Sequence, residues 1–112
     1  MTINEYEKLA QRTSKYAAGL KTEVDPKLVN GLAGLCGEAG ECMDLLKKHL
    51  FQGHELNRTK LIDELGDVQW YIAETAAALG VSLEEIMAKN IVKLRRRYPD
   101  GFDSERSVNR VT

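Results

Sequence analysis

The sequence predicts an all-α fold, a bundle of four main helices. Three observations carry that prediction. Apolar residues recur at three- and four-residue spacing in four separate stretches. Capping residues or proline open these stretches, and glycine or proline stands where they stop. Two acidic pairs, each spaced i, i+3, flank a short loop around Gly53, the pattern of two antiparallel neighbouring helices.

The first helix opens on the capping box Thr2-Ile3-Asn4-Glu5. Tyr6, Leu9, Ala10, Thr13, Tyr16, Ala17 and Leu20 supply its stripe, and Gly19 weakens its end. Tyr6 and Tyr16 are expected to pack in the core. Asp25-Pro26 is a cap followed by proline at the first helical position, so the second helix runs from about Pro26 to Phe51 and stops near Gly53. Glycines at 31, 34, 37 and 40 fall inside it. Each costs about 1 kcal/mol relative to alanine. Leu28, Leu32, Leu35, Ala39, Cys42, Met43, Leu46 and Leu50 nonetheless keep helical period, so the glycines are expected to admit a close partner helix or ligand.

The third helix starts near Asn57 and ends before Gly80, with Leu61, Leu65, Val68, Ile72, Ala76 and Leu79 as its stripe. Trp70 points away from that stripe and is expected against another subunit. Ser82-Leu83-Glu84-Glu85 is a second capping box. It opens a fourth helix whose core face is Leu83, Met87, Ile91 and Leu94, and which Tyr98-Pro99-Asp100-Gly101 breaks. Residues 1–103 read as one domain and 104–112 as a polar tail, disordered or lying across a neighbour.

A chain of 112 residues with 43% hydrophobic and 29% charged residues is an ordinary soluble domain. Its net charge of −1 drives binding to neither nucleic acid nor membrane, and its apolar runs are too short for a membrane span. No signal-peptide pattern opens the chain. Cys36 and Cys42, about 120° apart on a helix at ~100° per residue, are expected as two buried free thiols. That suits a reducing cytoplasm.

The acidic pairs are Glu38 with Glu41 and Glu64 with Asp67. On each helix the pair occupies the same flank of the apolar seam. Four carboxylates converging from two helices repel one another unless a cation lies between them. Oxygen-only ligands suit a hard ion, Mg²⁺ or Mn²⁺. Lys48 shares the flank of Glu41, and Lys60 and Tyr71 share that of Asp67. On the fourth helix Asn90, Lys93 and Arg97 form an edge at i, i+3, i+7.

Glu38-x-x-Glu41, twenty-two residues, then Glu64-x-x-Asp67 resembles the MazG-like, all-α nucleoside triphosphate pyrophosphohydrolases. The likeness runs through Gly34-Leu35-Cys36-Gly37-Glu38-Ala39-Gly40-Glu41 and Leu61-Ile62-Asp63-Glu64-Leu65-Gly66-Asp67-Val68. It extends to Asn90-x-x-Lys93-Leu94-x-x-Arg97-Tyr98-Pro99-Asp100-Gly101-Phe102. It covers roughly residues 28 to 102, and the first helix fits more loosely. The resemblance implies Mg²⁺ bound by Glu38, Glu41, Glu64 and Asp67. It also implies cleavage of a nucleoside triphosphate between the α and β phosphates, and removal of non-standard or surplus nucleotides. Homodimers or larger assemblies with sites built partly across subunits are implied as well.

Phosphoryl-type transfer needs charge neutralisation and positioning more than covalent help, and the acidic flank fits that need. Either Glu38 or Glu41 is expected to take the proton of the attacking water. Lys48, Lys93 and Arg97 balance the triphosphate, and Asn90 hydrogen-bonds phosphate or sugar. A di-iron bundle is excluded because neither His49 nor His54 completes a Glu-x-x-His motif. No Walker loop, zinc spacing or serine-nucleophile motif occurs. The competing expectation is a catalytically silent nucleotide sensor or structural bundle.

Overall fold

The computed structural model describes residues 1–17 and 19–110. The order is α1 (Ile3–Gln11), α2 (Pro26–Phe51), α3 (Arg58–Leu79), α4 (Leu83–Arg97) and α5 (Ser104–Val108), with no strand among the described residues. α2 and α3 form a long antiparallel hairpin. α1 lies across α3 and the start of α4, and α4 departs from the C-terminal end of α3. No described helix is long and apolar enough to cross a membrane.

The caps act as the sequence predicts, except that the box at Ser82 forms only its serine half. Thr2 and Glu5 exchange side-chain-to-backbone bonds in a complete capping box. Asp25 accepts the Lys27 N–H at 3.0 Å ahead of Pro26, and Asn57 accepts the Lys60 N–H at 3.0 Å. Gly53 and Gly80 take left-handed φ values of 72° and 71° beyond the ends of α2 and α3, a backbone conformation that strains any residue with a side chain. At α4 the Ser82 hydroxyl accepts the Glu85 N–H, and the Glu7 carboxylate reaches across from α1 to accept the Leu83 N–H.

Close approach accounts for half of the glycines in α2. A Cβ on Gly31 would press on Thr75, whose Cα would lie 3.1 Å away, and one on Gly34 would fall inside the ring of Tyr71. At Gly37 and Gly40 a Cβ would meet nothing within 4 Å in this chain.

Several expectations are corrected. α1 ends at Gln11, so Thr13, Tyr16, Ala17 and Leu20 do not continue its stripe. The cause is tertiary: Trp70 Nε1 and the Thr13 hydroxyl both claim the Ala10 carbonyl, and Ser14 turns down onto Glu74. Ala18, within the span of the expected first helix, and Val111 and Thr112 of the expected tail lie outside the described residues. Trp70 therefore packs on α1 within its own chain. Tyr16 is exposed, with the Lys27 ammonium 5.6 Å above its ring. Cys36 is exposed and Cys42 half-buried, both as free thiols, because Cys36 turns away from the seam with α3. The stretch after Phe102 forms α5, whose first turn is capped by Asp103 accepting the Glu105 N–H at 2.9 Å.

The core is small. Ala10, Ala73, Ala76 and Leu83 are its buried apolar residues, with Tyr6, Trp70, Ile72 and Val81 packed against them. Of the expected α4 core face only Leu83 is buried, because α4 projects past α1 and α3. Met87 and Ile91 are each 45% exposed and Leu94 41%. The accessible surface is 8389 Å², against about 6,200 Å² for a compact monomer of 12.6 kDa. The radius of gyration is 17.3 Å, where ~13 Å suits a compact chain of about 100 residues.

Candidate active site

Facing turns of α2 and α3 build the acidic cluster. The i, i+3 spacing puts Glu38 and Glu41 on the flank of α2 that meets α3, and Glu64 answers from α3. One carboxylate oxygen of each of these three residues lies within 4.8 Å of the others. Glu38 Oε2 and Glu64 Oε2 are buried with no hydrogen-bond partner. Buried polar atoms are normally satisfied, so two orphaned carboxylate oxygens in one cluster call for a positive ligand. An all-oxygen donor set fits a hard divalent cation. Asp67 stands outside this threesome, one turn further along α3, and lines a pocket with Glu38.

Electrostatics follow from the crowding. Burial, followed by contact with Glu41 and Glu38, pushes the Glu64 carboxyl up to about 7 from 4.5. Tyr6 is raised above its ordinary value by burial and then by the charge of Asp67. A carboxyl raised in the folded state favours folding below its unfolded value, and that contribution is lost as pH rises through the folded value. The metal-free protein is therefore expected to lose thermal stability as pH climbs from about 4.5 through about 7, and to level off above. Saturating Mg²⁺ or Mn²⁺ should flatten the profile. Melting curves across this range, with chelator and with cation, check it; a metal-free profile that rises with pH would contradict the cluster.

The pocket shared by Glu38 and Asp67 has a volume of about 330 Å³, and Thr13, Trp70 and Tyr71 complete its described walls. Trp70 is fixed by two bonds from its Nε1, to Ala10 O and Thr13 Oγ1, both at 2.9 Å. Tyr71 stands edge-on to it at 4.9 Å between ring centroids and lies against Gly34. Sequence reasoning missed Thr13 and Trp70 as wall residues. The available signal was the i, i+3 step from Asp67 to Trp70.

The basic candidates lie elsewhere. Lys48 pairs with Asp44 at 2.8 Å, a bond that holds the Asp44 carboxyl below its ordinary value. Lys48 lines a cleft at the α2–α3 turn with Leu45, His54, Glu55, Asn57 and Lys60. His49 Nδ1 meets the His54 carbonyl at 2.8 Å. Asn90 and Lys93 sit on α4, and Arg97 lines a polar cleft with Asp103, Glu105, Arg106 and Asn109. None of these three is among the described walls of the Glu38–Asp67 pocket.

Comparison with known proteins points to one family. A family model described as the MazG nucleotide pyrophosphohydrolase domain matches residues 29–102. The chain is 33% identical over 114 residues to the Gene 37 protein of Mycobacterium phage L5, covering 98% of this chain and 100% of that protein. No solved structure matches significantly.

Proposed function

This chain belongs to the MazG nucleotide pyrophosphohydrolase family, and on that premise we propose that it hydrolyses nucleoside triphosphates between the α and β phosphates. The products are a nucleoside monophosphate and pyrophosphate, and the role is upkeep of the cytoplasmic nucleotide pool. The observation that carries this reading is the convergence of Glu38, Glu41 and Glu64 with two unpartnered buried oxygens.

Glu38, Glu41 and Glu64 would hold Mg²⁺, with Mn²⁺ as a substitute, and Asp67 would complete the set from the next turn of α3. Held there, such a cation would supply charge neutralisation at the phosphates and acidity to the attacking water. Glu38 or Glu41 accepts the proton of the attacking water. The 330 Å³ pocket beside Glu38 and Asp67 receives the nucleoside against Trp70 and Tyr71, with Thr13 closing its side. Aromatic faces stack on any base, so this wall holds the nucleoside while smaller polar contacts select it.

The cationic part of the site is proposed to come from a second copy. Asn90, Lys93 and Arg97 flank the uncovered stripe Met87, Ile91 and Leu94 on α4. A homodimer or homotetramer that buries this stripe would carry their charge towards a partner's acidic cluster. Lys48, near the α2–α3 turn, would balance the outer phosphates. The surface in excess of a compact monomer is of the size that obligate interfaces bury, about 2,000 Å² or more. Light scattering is expected to give at least twice the monomer mass at micromolar concentration; a monomer would refute the assembly.

Product analysis on a panel of ribo- and deoxynucleoside triphosphates with Mg²⁺ tests the activity. Monophosphate plus pyrophosphate is expected. Release of orthophosphate would mean another bond and mechanism, and binding without turnover would make the protein a nucleotide sensor.

A further inference from the structure

Glu74 is completely enclosed, and among the described residues it is the buried charged group, in a core otherwise made of Ala10, Ala73, Ala76 and Leu83. A carboxylate survives such burial only when its oxygens are satisfied. Here Oε1 accepts from Ser14 Oγ at 2.8 Å and Gln11 Nε2 at 3.2 Å. Oε2 accepts from Asn30 Nδ2 at 3.2 Å, with Ser14 Oγ at 3.0 Å. Lys27 Nζ lies 3.6 Å from Oε1 and donates to Gln11 Oε1 at 2.6 Å. The donors come from the end of α1, the turn that follows it and the first turns of α2.

Trp70 sits one helical turn before Glu74 and grips the same stretch, through Ala10 O and Thr13 Oγ1. Thr13 stands between the Gln11 and Ser14 anchors and forms a wall of the pocket that Glu38 and Asp67 share. The stop of α1 at Gln11 is thus imposed from α3, and it aims Thr13 at the pocket.

We propose that Glu74, acting through Ser14, is a positioning residue that fixes the turn holding Thr13 in the nucleoside wall, governing nucleotide affinity without touching substrate. This rests on the nucleoside pocket proposed above. Ser14→Ala removes one donor from a half-buried turn and leaves Gln11, Asn30 and Lys27 on Glu74, so the chain folds. Its KM for nucleoside triphosphates is expected to rise about tenfold, as a displaced positioning group costs. The kcat should hold, and so should inhibition by pyrophosphate, which carries no nucleoside. Ser14→Thr, which keeps the hydroxyl, should restore KM.

Trp70 is the sole tryptophan, so its fluorescence reports binding of nucleoside monophosphates independently of turnover. Weaker binding of monophosphate by Ser14→Ala, with pyrophosphate affinity kept, supports the proposal even if the wild type releases no pyrophosphate and the hydrolase reading fails. Unchanged KM and monophosphate affinity in Ser14→Ala overturn it while hydrolysis stands. Equal loss of pyrophosphate affinity, or no nucleotide response in the wild type, overturns it too.

Discussion

Glu64→Gln is expected to lower pyrophosphate release by on the order of 10²–10³-fold, the scale seen when one preorganised electrostatic partner is removed. The substitution keeps size and shape but removes a charge from a cluster whose oxygens lie within 4.8 Å of one another. It also relieves repulsion. Glu64 is the carboxyl that burial, Glu41 and Glu38 raise most clearly, so the metal-free variant should melt higher than the wild type above about pH 7. Mg²⁺ should raise the wild-type melting temperature and leave the variant nearly unmoved. Activity and stability are thus expected to move in opposite directions. Chelation should silence the wild type just as completely. A Glu64→Gln enzyme with normal turnover would remove this residue from the site.

Gly34→Ala should be the most damaging small substitution in α2. Its new methyl group would occupy the ring of Tyr71, so the ring must leave its place against the helix. Overpacking of this kind costs about 1–3 kcal/mol, and better helix propensity returns up to about 1 kcal/mol. The net expectation is a loss of about 1–2 kcal/mol, or roughly 4–8 °C in melting temperature per kcal/mol for a domain of about 100 residues. Because Tyr71 walls the pocket beside Glu38, KM should rise as well. Gly37→Ala is the control, three residues along the same helix. Its methyl group meets nothing within 4 Å, so it should gain about 0.5–1 kcal/mol from propensity alone. Equal melting temperatures for the two variants would mean that α2 and α3 do not meet at Gly34 as described.

Much of the hairpin and its acids was legible in the chain. α2 and α3 could be read because their caps, their period and the repeated i, i+3 acids all agree locally. Glu38, Glu41 and Glu64 do converge. Asp67 stands one turn away and lines the neighbouring pocket. The glycines announced a close approach, but only the packed hairpin shows that Gly31 and Gly34 make it while Gly37 and Gly40 stay open. Glu74 was passed over because a glutamate in an alanine-rich helix reads as a solvated group.

Local chemistry alone determined the helix starts, the α2–α3 hairpin and the pairing of carboxylates, since caps and i, i+3 spacing act within a few residues. Tertiary structure decided where α1 ends, where Trp70 points and which charges are buried. Those outcomes depend on partners far apart in the chain: Trp70 takes the Ala10 carbonyl, Glu74 takes Ser14, and Glu7 caps Leu83. A helix that period alone would carry to Leu20 stops at Gln11, because α3 engages the Ala10 carbonyl and the Thr13 and Ser14 hydroxyls in place of another turn.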